Sequence, residues 1–367
     1  LRQSLEEVNT LKLQQDGDYF LTSLLIKPLG SNEVQSDEIN IDFYVRQKKT
    51  FQFRQWDTEI GGDICIAHKI PLYGKEFVAF VNGDAMGKSI QGAGGALVLG
   101  VVFRAMVSRT QMVKQEQRRY PEQWLKDAFN ELQKVFESFD GSMLISVVMG
   151  LIDEKTGLMY YMNAEHPWTV LYREDKVAFI EKELMLHKIG TTGLGGNLRI
   201  RTFQLKPGDV VIAGSDGRDD IILDEDDYGQ RVINEDEKEF LHRVKEGEGD
   251  LNQIVAYIDN QGKLSDDLSL LRIGYREQAQ ALGQEEALEA EWLERFRQGS
   301  RLLEEGDYGQ AEALLKEVYD HEPNYAPVLR DLARIYLKQR DYEKAAYYCD
   351  AYIMKSPHDI RFIYYAS

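Results

Sequence analysis

Residues 77–87 read Phe77-Val78-Ala79-Phe80-Val81-Asn82-Gly83-Asp84-Ala85-Met86-Gly87, an apolar run followed at once by an acidic turn. The apolar run predicts a buried strand over 77–81. The glycines on either side of Asp84 predict a turn, so this carboxylate stands at the end of the strand. An aspartate in that position is held rigidly, and a neighbouring glycine lets other groups approach it closely.

Similar apolar runs alternate with turn signals along residues 19–276. The predicted strands are 77–81, 144–149, 158–162, 210–213 and 268–273, and the predicted helices are about 91–111 and 121–138. Strands that come in runs, with only a few helices between them, are typical of an α+β fold with a largely antiparallel sheet.

Three more acidic turns stand next to predicted strands or glycines. They are Glu59-Ile60-Gly61-Gly62-Asp63, then Gly214-Ser215-Asp216-Gly217 after the strand 210–213, and Ser265-Asp266-Asp267 before the strand 268–273. A single Asp-Gly pair is most often only a surface turn. Four such signatures at strand ends indicate instead a cluster of carboxylates from several strands, which repel one another unless a cation lies between them.

Hard divalent cations prefer oxygen ligands, and Mg²⁺ or Mn²⁺ sites combine a few carboxylates with water. Two such ions about 3.5–4 Å apart can share a water, lower its pKa and direct it at phosphorus. The acidic turns therefore favour a two-metal hydrolase that acts without a covalent enzyme intermediate.

The C-terminal region repeats with a period of 34 residues. The pairs that match at this offset are Gly299 with Ala333, Tyr308 with Tyr342, Ala311 with Ala345, and Pro323 with Pro357. This is the period of tetratricopeptide (TPR) repeats, in which small residues stand where paired helices cross. Two repeats are fewer than the usual three, so we expect either a protein-binding or self-association surface or an appendage that covers an apolar face of the main domain.

Composition excludes several classes. The 367 residues carry a formal net charge of −18, which disfavours nucleic acid and anionic membrane surfaces as partners. The two cysteines, Cys65 and Cys349, are far apart and predict neither a disulfide framework nor a zinc site. No apolar run long enough to span a bilayer is expected. Because the chain begins with Leu1, we expect it to be a piece of a longer protein.

We divide the chain into an N-terminal regulatory or linker helix at 1–18, a catalytic domain at 19–276, a helical linker at 277–291 and TPR-like repeats at 292–367. The apolar residues of the first segment recur at helical spacing. Two hypotheses stay open for it: a helix that packs on the domain, or a signalling or dimerising helix.

The motifs together resemble the SpoIIE/RsbU-like branch of the metal-dependent PPM (protein phosphatase 2C type) Ser/Thr phosphatases, over roughly residues 20–274. The motifs that carry the resemblance are Gly61-Gly62-Asp63, Gly83-Asp84-Ala85-Met86-Gly87 with Gly94-Gly95-Ala96-Leu97, Asn163-Ala164-Glu165-His166-Pro167, Leu205-Lys206-Pro207-Gly208-Asp209 with Ser215-Asp216-Gly217, and Asp266-Asp267-Leu268-Ser269.

The resemblance implies an αββα sandwich of two mainly antiparallel sheets and two Mn²⁺ or Mg²⁺ ions. It implies that Asp84 bridges both ions with the Ala85 carbonyl as a further ligand, and that Asp216 and Asp266 hold the second ion. Asp63 would contact the site directly or through water. Asp267 would either be a ligand or orient Asp266.

Two positions depart from the family pattern. Lys88 stands where the family often has histidine, and it would either contact phosphate as a catalytic residue or be a solvated loop residue. Glu165 stands where the family has glycine. His166 could act as a general acid, but a structural role is favoured because a lone histidine is more often a hydrogen-bonding residue. All the predicted metal carboxylates are retained, so we expect activity.

The resemblance implies removal of phosphate from Ser/Thr of a phosphoprotein, such as a STAS-type anti-anti-sigma protein in bacterial partner switching. We expect a cytoplasmic protein that makes no membrane contact through this fragment and that could form a homodimer. The parent protein could be anchored through an upstream sensor domain. Two alternatives are an inactive phosphatase-fold scaffold that acts through its repeats, and a hydrolase of small phosphate esters.

Overall fold

A computed structural model describes residues 2–183, 187–193, 199–225, 231–234, 236, 238–277, 290–323 and 325–355. The chain forms two compact units, Leu1–Glu277 and Gln278–Ser367. The predicted linker at 277–291 lies almost entirely outside the described residues, as do Pro357 and the end of the second repeat. The finer division into four segments stays a prediction.

The first unit contains both strands and helices. Its described helices are α1 (Arg2–Ile26), α2 (Ile90–Met112), α3 (Pro121–Glu137), α4 (Glu239–Glu246) and α5 (Leu251–Gln261), with short 3₁₀ turns at Glu116–Arg118 and Asp216–Arg218. Its described strands are β1 (Asn32–Glu33), β2 (Ile39–Arg46), β3 (Lys49–Phe53), β4 (Trp56–Ile60), β5 (Asp63–Leu72), β6 (Lys75–Ala85), β7 (Ile145–Asp153), β8 (Leu158–Ala164), β9 (Val170–Arg173), β10 (Lys176–Phe179), β11 (Arg201–Gln204), β12 (Val210–Gly214), β13 (Ile221–Glu225), β14 (Arg231–Ile233), β15 (Lys263–Leu264) and β16 (Leu268–Tyr275).

Two sheets form the centre of this unit. The first has the order β1-β5-β6-β7-β8-β11 and is antiparallel except where β1 runs parallel to β5. The second has the order β10-β9-β12-β16-β2 and is antiparallel throughout. Two small sheets, β14-β13-β15 and β3-β4, lie outside these.

Strand β6 shows why the sheets stack. Successive side chains of a strand point to opposite faces of the sheet. Phe77, Ala79 and Val81 join the apolar cluster that contains residues of α2 and α3. Val78 and Phe80 join a second cluster, which is shared with the second sheet. A run that is apolar at every position is therefore buried on both faces, as expected for an inner layer.

The outer face of the second sheet is covered by α4 and α5. Phe240, Val244 and Ile254 pack in one cluster with Val210 and Ile212 of β12. The layers therefore follow one another as helices, sheet, sheet and helices. The predicted PPM-type αββα sandwich is confirmed, and the helical repeats follow it in the chain.

The apolar runs located the central strands and helices to within a few residues, but other elements were missed. The β3–β4 hairpin and helices α4 and α5 were not predicted. Helix α1 extends to Ile26, well beyond the predicted 1–18 segment. Its C-terminal half packs on the hairpin through an edge-to-face contact of Tyr19 with Phe51 and a stacked contact of Phe20 with Phe53.

Helix α2 corrects one expectation. By length and composition, Ile90–Met112 is long and apolar enough to cross a membrane, so the expectation that no such segment exists was wrong on that criterion. Half of its most apolar window is buried inside the protein. Ala96, Leu99 and Phe103 pack in the apolar core against the first sheet. A buried core helix of a folded domain can be as long and as apolar as a membrane-spanning helix.

The second unit is helical. It comprises α6 (Ala290–Glu305), α7 (Tyr308–His321), α8 (Ala326–Gln339) and α9 (Tyr342–Lys355). Ala311, Ala333 and Ala345 are buried in a single apolar cluster, as the period of 34 predicts for positions where helices cross. The repeat is therefore structural as well as sequential.

Candidate active site

Strands β5 and β6 bring two of the predicted ligands together. Asp63 begins β5, Asp84 lies near the end of β6, and the two residues face each other in the antiparallel register. Directly opposite side chains on neighbouring strands lie within reach of one another. Two carboxylates thus share one end of the first sheet, as the strand-end argument predicted.

Asp63 is buried, with only 2% of its surface exposed. Its Oδ2 accepts a 2.5 Å hydrogen bond from the Ser215 hydroxyl, and the Ser269 side chain bonds to it as well. Its Oδ1 is buried and has no hydrogen-bond partner among the described residues. Burial, reinforced by repulsion from Asp84, raises the pKa of Asp63 well above its usual value. Only a shared proton or a cation can compensate such a group.

Asp84 is half-buried beside it. Burial raises the pKa of Asp84 to about 6, with added repulsion from Asp266 and Asp267. The charge of Lys188 opposes that rise. In the absence of a cation, a proton between the two carboxylates of Asp63 and Asp84 reduces their repulsion.

Asp216 comes from the other sheet, at the first residue of the 3₁₀ turn that follows β12. Asp216 is exposed to solvent, but neighbouring protein atoms still desolvate its carboxylate. This desolvation, with repulsion from Asp84, Asp220 and Asp266, raises the pKa of Asp216 to about 7. The structure therefore places Asp216 and Asp266 in one electrostatic cluster with Asp84.

Asp266 and Asp267 precede β16 and serve different contacts. Both carboxylate oxygens of Asp267 accept backbone N–H groups, Oδ1 from Lys48 at 2.7 Å and Oδ2 from Gly62 at 2.9 Å. Asp266 is half-buried, and its Oδ1 accepts the backbone N–H of Asp267. Asp267 thus orients the loop before Asp63, whereas Asp266 faces the acidic cluster.

Only glycine fits at positions 61 and 62, because neighbouring atoms leave no room for a Cβ atom. A Cβ on Gly61 would lie 2.2 Å from Oδ2 of Asp267. A Cβ on Gly62 would lie 2.4 Å from the carbonyl oxygen of Ala85, whose own N–H donates to the Gly62 carbonyl. The space beside the Ala85 carbonyl, a predicted ligand, is therefore left open only because residue 62 has no side chain.

The residues fit a divalent ion in their chemistry. The possible ligands are oxygens, the buried Oδ1 of Asp63 has no hydrogen-bond donor, and a glycine keeps the Ala85 carbonyl accessible. Among the residues that the structure describes, no three His, Cys, Asp or Glu side chains converge at ligating distance. The carboxylates lie near enough to repel one another, and a cation would have to draw them together.

A buried hydrogen-bond network crosses between the sheets behind the cluster. Asn82 donates to Ser269 at 2.8 Å and accepts from Nε2 of His166 at 2.9 Å, while Nδ1 of His166 meets the Ser146 hydroxyl at 3.1 Å. This pattern assigns the tautomer with the proton on Nε2. Burial lowers the pKa of His166 to about 3, helped by Arg218 and Lys188. The neutral, fully bonded imidazole supports the structural role.

Comparison with known proteins identifies the family. The sequence profile described as Stage II sporulation protein E (SpoIIE) matches residues 74–276, more than half of the chain. The chain belongs to the SpoIIE family. A tetratricopeptide repeat profile matches residues 302–363. No protein with a curated description matches this SpoIIE-family chain.

Solved structures similar to this SpoIIE-family chain include the RsbU and RsbW domains of a Mycobacterium tuberculosis protein, with 19% identity, a TM-score of 0.49, and 65% of this chain and 60% of that one covered. The structure of the PP2C phosphatase domain and a regulatory fragment of Bacillus subtilis SpoIIE has 14% identity and a TM-score of 0.47, with 66% of this chain and 64% of that one covered. The SiaA-PP2C domain of Pseudomonas aeruginosa has 14% identity and a TM-score of 0.49, with 75% of this chain and 100% of that one covered. The chain thus spans less than two thirds of the length of the first two.

Within this SpoIIE-family chain, the basic residue at the cluster is not the one the sequence suggested. Lys88 is exposed in the turn of residues 86–89. Lys188, half-buried in the segment 187–193, is the lysine that acts on Asp84 and Asp216. Nothing in the local sequence distinguishes the two lysines. Ser215 and Asp220 were also missed, although both flank the Asp216-Gly217 motif.

Glu165, which stands where the family has glycine, has a local effect. Glu165 adopts a left-handed backbone conformation with φ of 51°, which explains why glycine suits this position. Its Oε2 accepts a 3.4 Å contact from the backbone N–H of Lys188 and lies 3.7 Å from Nδ1 of His187. The glutamate therefore touches the segment that carries the lysine of the cluster.

Two cavities of similar size approach the site. One, of about 450 Å³, is lined by Asp216, Asp220, His166, Lys188 and Trp168 among others, and lies at the acidic cluster. The other, of about 470 Å³, is mainly apolar and lies between α1 and the strand β4. The first has the ionisable groups that phosphate chemistry needs, so it is the candidate substrate cleft.

Proposed function

We propose that this chain is a metal-dependent phosphatase that removes phosphate from serine or threonine of a protein. The observation that carries the proposal is the buried carboxylate of Asp63, without a donor for Oδ1 and directly opposite Asp84. Membership of the SpoIIE family supports a phosphatase fold. An uncompensated acidic pair at a sheet end is costly for stability and is expected where a cation has a function.

Asp84, the Ala85 carbonyl, Asp216 and Asp266 would hold two Mn²⁺ or Mg²⁺ ions, with Asp63 in direct or water-mediated contact. Bound there, the ions would supply Lewis acidity that polarises phosphate oxygens and lowers the pKa of water. Binding would compete with protonation of Asp84 and Asp216, because metal ligands must be ionised.

The chain itself positions these groups. Ser215 holds one oxygen of Asp63 by a hydrogen bond, which limits rotation of the carboxylate opposite Asp84. Asp267 fixes Gly62, which keeps the Ala85 carbonyl open. The Asn82–His166 network ties the ends of the two sheets together. Asp63 and the Ala85 carbonyl are thus held in place, and the other carboxylates would have to move towards a bound ion.

The substrate class rests on the family. SpoIIE-family membership supports a role in bacterial signalling, and we propose a phosphoprotein, such as a STAS-type protein, as the substrate. The TPR-like unit supports recognition of a protein rather than a small ester. The cellular location is proposed to be the cytoplasm.

The test is hydrolysis of a phosphoserine peptide by the full chain with Mn²⁺, with Mg²⁺ and with excess chelator. We expect turnover only with a divalent ion, and a loss of at least about 100-fold in Asp84→Asn and Asp216→Asn. Calorimetric titration with Mn²⁺ gives a second readout, and both variants should bind the ion more weakly.

A matched control is Asp209→Asn. Asp209 is also a buried aspartate and directly precedes β12, but its carboxylate is paired with Arg173 at the end of that strand opposite to Asp216. At a temperature where this variant is folded, it should retain Mn²⁺ binding and turnover. Full turnover in chelator would refute the proposal. Absence of both Mn²⁺ binding and turnover would favour the inactive scaffold instead.

A further inference from the structure

One lysine stands within the acidic cleft and has no role in the chemistry proposed for the carboxylates. Lys188 lines the cleft of about 450 Å³ together with Asp216, Ser146 and His166. Burial raises the pKa values of Asp84 and Asp216, and Lys188 opposes the rise at both. The charge of Lys188 therefore acts on two predicted metal ligands from two different sheets, and its side chain shares the cleft with one of them, Asp216.

The backbone around Lys188 is fixed rather than loosely attached. Ile189 exchanges two hydrogen bonds with Ile145 of β7, at 3.0 and 2.8 Å. The N–H of Gly190 donates to Oε1 of Gln133 on α3 at 3.0 Å, and the Lys188 carbonyl accepts from Thr191. Both the sheet and a helix thus anchor the residues after the lysine, which limits where its side chain can reach.

The other cationic side chain that lines this cleft, Arg218, is buried. Its Nε bonds to Asp219 at 3.0 Å and its guanidinium lies over the ring of Phe240, while one terminal nitrogen is buried without a hydrogen-bond partner among the described residues. Lys188 is half-buried on a flexible four-carbon stem. Of these two cations, Lys188 is the one able to meet an anion that enters the cleft.

We propose that Lys188 binds the phosphate group of the substrate in the cleft and so sets substrate affinity. This inference rests on the proposed phosphatase function. A divalent ion would compensate Asp84 and Asp216, and this would release the ammonium for an incoming phosphate dianion. Lysine is suited to this contact because its three donors can follow a tetrahedral anion without a fixed plane.

The experiment compares Lys188→Gln, Lys188→Arg and the matched control Lys88→Gln in the full chain. A charge-assisted contact predicts that Lys188→Gln raises both the KM for a phosphoserine peptide and the Kd for inorganic phosphate by roughly 10- to 100-fold. The kcat should change less, because phosphate is bound in both ground and transition states. Lys188→Arg should restore most of the affinity, and Lys88→Gln should resemble the wild type.

Inorganic phosphate is titrated into the Mg²⁺-loaded protein by calorimetry, so that binding is measured apart from turnover. Mn²⁺ affinity is measured as well, and it should be unchanged or tighter in Lys188→Gln because a positive charge is removed. Equal phosphate affinity in Lys188→Gln and the wild type would overturn the proposal, even if the wild type proved inactive. Loss of Mn²⁺ binding would also overturn it, because it would show a structural role. An inactive wild type would refute the phosphatase function separately.

Discussion

Replacement of Asp84 by asparagine should stabilise the metal-free protein while it weakens the proposed metal site. Burial and neighbouring carboxylates raise the pKa of Asp84 from 3.8 to about 6. The ionised side chain is therefore disfavoured in the folded state relative to the unfolded chain. Asparagine has nearly the same shape and no charge, so it removes that penalty at any pH where Asp84 is ionised.

The size of the effect follows from the difference between the two pKa values. A difference of about 2 corresponds to about 3 kcal/mol, because each tenfold change in proton affinity is worth about 1.4 kcal/mol. Solvent reaches this half-buried group and screens part of the repulsion, so we expect about 2 kcal/mol at about pH 8.

The stability difference between Asp84→Asn and the wild type should depend on pH. A carboxyl group whose pKa is raised on folding binds its proton more tightly in the folded state. The penalty is complete above about pH 6, shrinks as the pH falls towards 3.8, and is absent below it. The advantage of Asp84→Asn should therefore fall to about half at about pH 5. His166 is present in both proteins, so its own titration cancels in the difference.

The assay is amide hydrogen exchange of the β6 and β7 segments in excess EDTA, at about pH 8 and about pH 5. These central strands report the opening of the sandwich separately from the helical repeats. The control is Asp209→Asn, which breaks the pair between the buried Asp209 carboxylate and the half-buried Arg173 and should be less stable than the wild type. Addition of Mn²⁺ should stabilise the wild type more than Asp84→Asn, because the variant binds the ion more weakly. An Asp84→Asn variant that is less stable than the wild type at about pH 8, or a gain that does not depend on pH, would refute the reasoning.

Three further predictions concern other parts of the molecule. Gly62→Ala should weaken Mn²⁺ binding by at least about tenfold in calorimetry, because its Cβ would contact the Ala85 carbonyl. The control is Gly94→Ala on α2, where the nearest atom to an added Cβ is 4.0 Å away; this variant should bind Mn²⁺ normally and gain up to about 1 kcal/mol of stability. Equal Mn²⁺ binding by the two variants would contradict the prediction. Nitrogen NMR should find the imidazole of His166 neutral from about pH 5 to 8, and a titration near pH 6.5 would disprove its burial in the network. Leu332→Ala should cost the repeat unit about 3 kcal/mol by circular dichroism on denaturation, since Leu332 is fully buried, and a loss below about 1 kcal/mol would contradict the packing.

The αββα sandwich was implied by the family resemblance, whereas the antiparallel α+β fold and the acidic cluster could be predicted from local patterns for one physical reason. Strands buried on both faces are apolar at every position, and the aspartates stand at the ends of such strands. Asp63, Asp84 and Asp216 could therefore be located from local patterns. The β3–β4 hairpin and α4 could not, because they are short and only partly apolar.

The roles of adjacent or distant residues were harder to predict. Asp266 and Asp267 are consecutive, and only the fold shows that the second one binds the backbone of Lys48 and Gly62. Lys188 lies more than a hundred residues from Asp84 in a segment without regular structure, and an exposed Lys88 near the motif was the more obvious candidate. The position of a cation in a loop depends on tertiary contacts that no local pattern encodes.

The link from Asp267 to Gly62 joins residues 205 positions apart. On a ribosome that adds 5–20 residues per second, the partner of Gly62 is made about 10 to 40 s after it. Until then the loop beside Asp63 lacks its anchor, and β2 lacks its neighbour β16. A nascent chain is therefore expected to lack the proposed phosphatase activity until nearly the whole sandwich has been translated, because the carboxylate of Asp267 is made so late.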